Sequence, residues 1–333
     1  MPNPAATRPL GKSGLQISQL GFGSGPVGNL FTATSDADAL AALAAMRAAG
    51  LNYLDVAPFY GLGLAERRVG DALRQLGRAD VVVSTKVGRL LKARTSGTAS
   101  TNLFQDPLPF DVVFDYSYDG VMRSFEDSLQ RLGTNRIDIL LIHDINQKYH
   151  AGQIDQRLRE VMEGGYRALD RLRSEGAIRA FGAGTSDLAV CTQLMEAGDF
   201  DCFMIPGRFT LLDQSAAASF LPECQRRRIG VLMAAPFDSG ILATGPVESA
   251  TYNYQPATPH ILEKVRQLQA ICMAHRVPLA AAALQFPLRH PAVSSVVTGM
   301  KSATEVAKNA ENMNTAIPDS LWRDLIAPAR IQI

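Results

Sequence analysis

The sequence has no excess of charge: 33 lysines and arginines stand against 32 aspartates and glutamates, a formal net charge of +1. Without such an excess there is no general attraction to nucleic acid or to an anionic membrane surface, and neither is expected as a partner. Cysteine is scarce. Cys191, Cys202, Cys224 and Cys272 show no C-x-x-C spacing and stand among apolar neighbours, so no metal site and no disulfide framework are expected. They read as reduced core thiols, which points to a cytoplasmic setting. Long apolar runs are absent too: no stretch approaches the ~18 uncharged apolar residues of a membrane helix, and MPNPAATRPLGKSG lacks the basic-then-apolar order of a secretory signal. No Pro/Gly/Ser-rich linker interrupts the chain, so a single domain over residues 1–333 is expected.

What is present is a regular alternation in a chain that is 47% hydrophobic. RPLGKSGLQIS reads as an N-terminal hairpin. Apolar runs then recur at 18–23, 52–57, 81–86, 137–143, 178–183, 202–206, 230–235 and 293–298. Helical patterns separate them, at 35–50, 64–77, 117–133, 164–176, 186–198, 213–228, 259–276 and 302–313; Ser35 is a natural N-cap and Gly50 a natural stop. Strands apolar on both faces, each followed by an amphipathic helix, predict an α/β protein with a covered parallel sheet. Eight such units predict a closed (β/α)8 TIM barrel, whose site lies at the C-terminal ends of its strands. The two longest loops, 88–117 and 237–259, follow the third and seventh strands and belong to that face.

LGFGSGPVGNLF contains Gly23-Ser-Gly25-Pro-Val-Gly28, a match to the G-x-G-x-x-G phosphate fingerprint. In a doubly wound dinucleotide fold the third glycine already lies in the helix that meets the pyrophosphate. Here NLFTAT intervenes before the helix near Ser35, and the next strand-end acid, Asp55, lies beyond the usual offset of about 20 residues. The match therefore does not predict that fold.

Polar residues at strand ends carry more weight. Asp55 ends the second strand, with Tyr60 in the loop after it; Lys86 ends the third strand and His143 the fourth. A phenol with a pKa near 10 is a poor base near neutrality, but an adjacent ammonium stabilises its phenolate, a carboxylate fixes the ammonium, and a neutral imidazole orients a substrate oxygen. This set suits proton transfer at an oxygen whose carbon exchanges a hydride.

NYLDVAPFYGLGLAERRVGDAL, VVVSTKVG, RIDILLIHD and GAIRAFGAGTSD resemble the aldo-keto reductases over essentially the whole chain. The resemblance implies catalytic roles for Asp55, Tyr60, Lys86 and His143 and an extended nicotinamide dinucleotide. The cofactor would lie along Gly23, Gly25, Gly184, Thr185 and Pro236, with its phosphates at Gly299, Met300, Lys301 and Ser302 and its adenine near Asn309. Glu305 stands where members using NADP often carry an arginine, which implies NAD as cofactor, with NADP the alternative. The family's carboxamide-holding Ser-Asn pair is replaced by Gly184-Thr185, and its ring-stacking tyrosine by Ala234. These departures, with GRFTLLDQ and AAPFDSGIL, resemble the branch of L-fucose, D-threo-aldose and L-galactose 1-dehydrogenases and pyridoxal 4-dehydrogenase. Oxidation of an aldose at C1 to its lactone is the implied activity. Pyridoxal oxidation, general aldehyde reduction, and a redox-sensing subunit like the potassium-channel β subunits are the alternatives. Phe59, Tyr116, Asp144 and Arg208 are the candidate substrate contacts, joined by Asn146, Phe237 and residues 251–255; nothing in the sequence sets an oligomeric state.

Overall fold

Eight parallel strands close a barrel in the order of the sequence: β1 (Leu20–Gly23), β2 (Tyr53–Asp55), β3 (Val82–Val87), β4 (Ile139–His143), β5 (Ala180–Gly184), β6 (Cys202–Met204), β7 (Gly230–Ala234) and β8 (Val293–Gly299). The computed structural model describes residues 3–97 and 103–329. Every apolar run singled out in the sequence contributes a strand. Alternation explains the closure. In β4, Ile139 and Leu141 enter a barrel-filling cluster with Tyr53, Val82, Ala180, Met204 and Leu232, whereas Leu140 and Ile142 join the larger cluster between sheet and helices.

The N-terminal hairpin pairs Thr7–Pro9 with Gln16–Ser18 and supplies Leu10, Leu15 and Ile17, all fully buried, to the barrel-filling cluster. Each contributes roughly 1.5–3 kcal/mol of burial and together they close the N-terminal end. The opposite end is where the strands stop at Asp55, Lys86–Val87 and His143.

The helices begin where the sequence caps them. Ser35 accepts a hydrogen bond from the Asp38 N–H, Gly50 takes the left-handed conformation after helix Asp36–Ala48, and Ser117, Asp187, Thr258 and Ser302 cap later helices in the same way. The expected helix over 213–228 forms only at Phe220–Arg227. Its first half is diverted into a turn, because Thr210 Oγ1 accepts from the Leu212 and Asp213 N–H groups and Arg208 pairs with the Asp213 carboxylate. Helices at Leu279–Gln285 and Asp319–Ala329 add to the expected set.

Both long loops fold into hairpins over the open end, Arg89–Ala93 with Phe110–Phe114 and Thr251–Tyr252 with Gln255–Pro256. Among the described residues no single helix is long and apolar enough to cross a membrane. All four cysteines are buried free thiols.

Candidate active site

Strand register brings the first two groups together. Asp55 on β2 lies opposite Ser84 on β3, and Lys86, two residues further, points to the same face. Its ammonium donates to Asp55 Oδ1 at 2.9 Å, to Asp55 Oδ2 at 2.7 Å and to the Val56 carbonyl at 3.0 Å. Ser84 Oγ donates to Asp55 Oδ1 at 2.6 Å; its proton thus committed, it accepts from the Tyr53 hydroxyl at 2.9 Å. Ser84 and Tyr53 were not singled out in the sequence, although their alternation with Lys86 and Asp55 carries the signal.

Tyr60 lies beside the ammonium, which stands 4.8 Å from its ring centroid and interacts with its hydroxyl. The ring of His143, from the end of β4, meets it edge to face at 6.1 Å. All four groups predicted from strand ends therefore share one point at the barrel mouth. Their electrostatics differ from expectation in one respect. Burial pushes the Tyr60 phenol up to about 12, and the opposing pull of Lys86, itself countered by Asp55, does not reverse this. The resting group is a phenol. Burial, then Arg89 and Lys86, hold the His143 imidazolium well below its usual range, so the ring is neutral near pH 7. Its Nδ1 is buried without a partner while Nε2 lies 3.6 Å from Asp144 Oδ2. An unpartnered acceptor costs less than an unpartnered N–H, which favours the tautomer with the proton on Nε2.

Of the expected substrate contacts, Phe59 stands at the mouth, edge-on to Phe104 and to His143. Asp144 is there too, 25% exposed, with its backbone in the left-handed region. Tyr116 is not. It is fully buried behind the site, where its hydroxyl donates to the His143 carbonyl at 2.9 Å and meets His150 Nε2 at 3.0 Å, so it supports β4 and has no surface to offer a substrate. Arg208 is committed to the Ser186 carbonyl and to Asp213. The sequence reading missed Arg89. This arginine is 1% exposed, ion-paired to Asp144, and stacked on Phe59, Tyr149 and Phe114 at 4.3, 4.4 and 5.0 Å from their centroids.

Comparison with known proteins gives a match to the Aldo/keto reductase family over residues 19–327. The chain belongs to that family. It is 41% identical to pyridoxal 4-dehydrogenase of Microbacterium luteolum and 39% identical to D-threo-aldose 1-dehydrogenase of a Pseudomonas species, each over 96% of both chains. The holo form of the aldo-keto reductase AKR11C1 from Bacillus halodurans superposes with a TM-score of 0.76 at 26% identity, covering 97% of this chain and 95% of that one.

The aldo/keto reductases are oxidoreductases that use a nicotinamide dinucleotide, and the residues present fit one. Helix Ala303–Asn314 starts at Ser302, whose hydroxyl accepts from the Glu305 N–H, and the first-turn N–H groups of Ala303 and Thr304 have no partner among the described residues. With Lys301 and Lys308 nearby, this helix start suits phosphate. A Cβ on Gly184 would stand 3.7 Å from Lys86 Cε, an ordinary contact that places this residue beside the four groups. Thr185 is fully buried, within 3.4 Å of Asn146 Nδ2. The Met300 side chain is buried in the core, which leaves its backbone alone for a cofactor. Glu305 accepts from the Lys301 N–H at 2.8 Å, Lys301 reaches Thr32 Oγ1 at 2.9 Å, and Asn309 is buried at the same helix. Gly23 pairs with Gly299 across β1 and β8, Gly25 precedes the turn Pro26–Gly28, and Pro236 lies buried after β7.

The third glycine of the fingerprint has a different use. A Cβ on Gly28 would meet the Tyr60 carbonyl carbon at 2.8 Å, and one on Gly61 the Gly28 oxygen at 2.5 Å. The two loops cross in backbone contact, which sets the position of Tyr60. Gly28→Ala is expected to displace Tyr60 and lower kcat roughly tenfold or more, since a 1 Å misplacement costs up to about 10²-fold. Steady-state rates alongside a thermal melt check this; a wild-type kcat would show that the crossing does not set the phenol.

Proposed function

We propose that this oxidoreductase oxidises the cyclic hemiacetal of an aldose at C1, giving the lactone, with NAD as acceptor. The observation that carries the reading is the convergence of Tyr60, Lys86, Asp55 and His143 at the mouth, beside a carboxylate, Asp144, that suits a hydroxylated substrate. The bound dinucleotide supplies the hydride acceptor. The chain's residues handle the proton. His143 Nε2–H donates to the anomeric oxygen and orients it; Tyr60, once ionised to the phenolate that the ammonium of Lys86 stabilises, takes that hydroxyl's proton and returns to the phenol. Asp55 keeps Lys86 aimed at that oxygen.

The two relatives support this chemistry, since an aldose and pyridoxal both present a ring-closed hemiacetal. Pyridoxal is the second reading, favoured by the rings around the mouth: Phe59, Phe104 and Tyr149, with Phe31 and Tyr254 5.8 Å apart at the rim. Initial rates with L-fucose, D-arabinose, L-galactose and pyridoxal, each with NAD and NADP, separate the two. Turnover of an aldose with the higher kcat/KM supports the first; exclusive turnover of pyridoxal overturns it.

The cofactor preference rests on Glu305. Its carboxylate at the helix start repels a 2′-phosphate and accepts from a free 2′-hydroxyl. NAD is expected to exceed NADP in kcat/KM by roughly tenfold or more, an increment of about 1.4 kcal/mol in differential binding, and Glu305→Ala to narrow the ratio. A wild-type ratio favouring NADP contradicts the assignment.

A further inference from the structure

The aldose reading leaves open what recognises the sugar beyond its reacting carbon. One ion pair at the mouth has the geometry for it. Arg89 leaves the barrel directly after β3 and is 1% exposed, with its guanidinium enclosed by the rings of Phe59, Tyr149 and Phe114. An arginine so enclosed is fixed in direction, because its planar head stacks while its N–H groups point outward in the ring plane. Nη2 pairs with Asp144 Oδ2, the same oxygen that lies 3.6 Å from His143 Nε2. Asp144 Oδ1 takes no partner among the described residues, and the side chain is 25% exposed.

A carboxylate beside an imidazole would ordinarily draw a proton onto the ring and close a pair with it. Arg89 competes for that carboxylate, and His143 remains neutral with its N–H available. The result is a fixed acceptor next to the point where the reacting oxygen is oriented. A hydroxyl on the carbon next to the anomeric one lies three bonds from that oxygen, a separation that an acceptor beside His143 can span.

We propose that Arg89 and Asp144 form the specificity element of the site, with Arg89 a positioning residue that clamps one oxygen of Asp144 so that the other accepts a hydrogen bond from the substrate's C2 hydroxyl. The proposal rests on the aldose reading. It assigns the substrate class more narrowly: aldoses with a free hydroxyl on the carbon next to the anomeric one, with 2-deoxy sugars discriminated against.

The test compares the best aldose among L-fucose, D-arabinose and L-galactose with its 2-deoxy analogue, in wild type, Asp144→Ala, Arg89→Met and Arg89→Lys. Wild type is expected to prefer the aldose by roughly tenfold to a hundredfold in kcat/KM, the range for a hydrogen bond to a charged acceptor. Asp144→Ala and Arg89→Met should each bring the preference to within about threefold of unity, through KM for the hydroxylated sugar more than through kcat. Arg89→Lys, which keeps the charge, should restore part of it. A purely structural arginine would lower both substrates equally. Circular dichroism and NAD binding by tryptophan quenching report whether Arg89→Met folds, and Asp144→Ala, which empties no core space, carries the test if it does not. Turnover of both sugars with equal kcat/KM in wild type, or an unchanged ratio in Asp144→Ala, overturns the proposal and leaves the aldose reading standing. Absence of any aldose turnover overturns both.

Discussion

Tyr60→Phe is expected to lower kcat for aldose oxidation by roughly 10²–10⁴-fold, the range for loss of a positioned acid–base group, while NAD binding stays close to wild type. The substitution removes one oxygen. It leaves the ring packed against Phe104 and His143 and leaves the Lys86–Asp55 pair intact. Because the phenol acts on the substrate oxygen only as the proton moves, kcat and kcat/KM should fall together. Rates across pH sharpen the result. With burial raising the phenol to about 12, oxidation should climb with pH through the alkaline range as more phenolate forms. The variant should lose that rise. A variant that keeps more than a tenth of the wild-type kcat would remove Tyr60 from the mechanism.

Lys86→Met should affect both stability and rate. The ammonium is 2% exposed and the Asp55 carboxylate 3%, and removing one partner of a buried pair leaves the other charge without its counter-ion, at a cost of about 3–5 kcal/mol. Among the described residues, Ser84 alone then remains to satisfy the Asp55 carboxylate. Urea melts measure the loss; a change under about 1 kcal/mol would show that water or a neighbour replaces the ammonium. The sign of the kinetic effect follows from the same geometry. Lys86 pulls the Tyr60 phenol downward and Asp55 pushes it up, so deleting the ammonium raises the phenol further and moves the alkaline rise in rate to higher pH. An unchanged pH profile would mean that the ammonium does not act on the phenol.

The barrel was legible because two-faced apolar strands leave a repeating mark that local sequence carries in full. IDILLIHD shows it best: alternate residues fill the barrel and face the helices, and the polar His143 comes where the strand opens to solvent. The same logic located Asp55 and Lys86. Arg89 escaped because what makes it notable is not local. An arginine after a strand reads as a solvated loop residue, and only folding brings Phe59, Phe114, Tyr149 and Asp144 around it. Tyr116 failed for the converse reason: an aromatic in a long loop looks like a pocket wall, yet a hydrogen bond to the His143 carbonyl turns it inward. The phenol's acidity was misjudged on balance of magnitudes, since the ammonium was visible in the sequence and the depth of burial was not. Gly28 illustrates a motif match with a steric cause, a crossing of two loops at van der Waals contact.

In the proposed reaction Tyr60 and His143 act on one and the same substrate oxygen. A crystal structure of the ternary complex with NAD and the product lactone tests it most directly. The expected result places the lactone carbonyl oxygen within about 3.2 Å of both the Tyr60 hydroxyl and His143 Nε2, the reach of a hydrogen bond. A lactone whose carbonyl is held by other groups, with Tyr60 turned away, would contradict it.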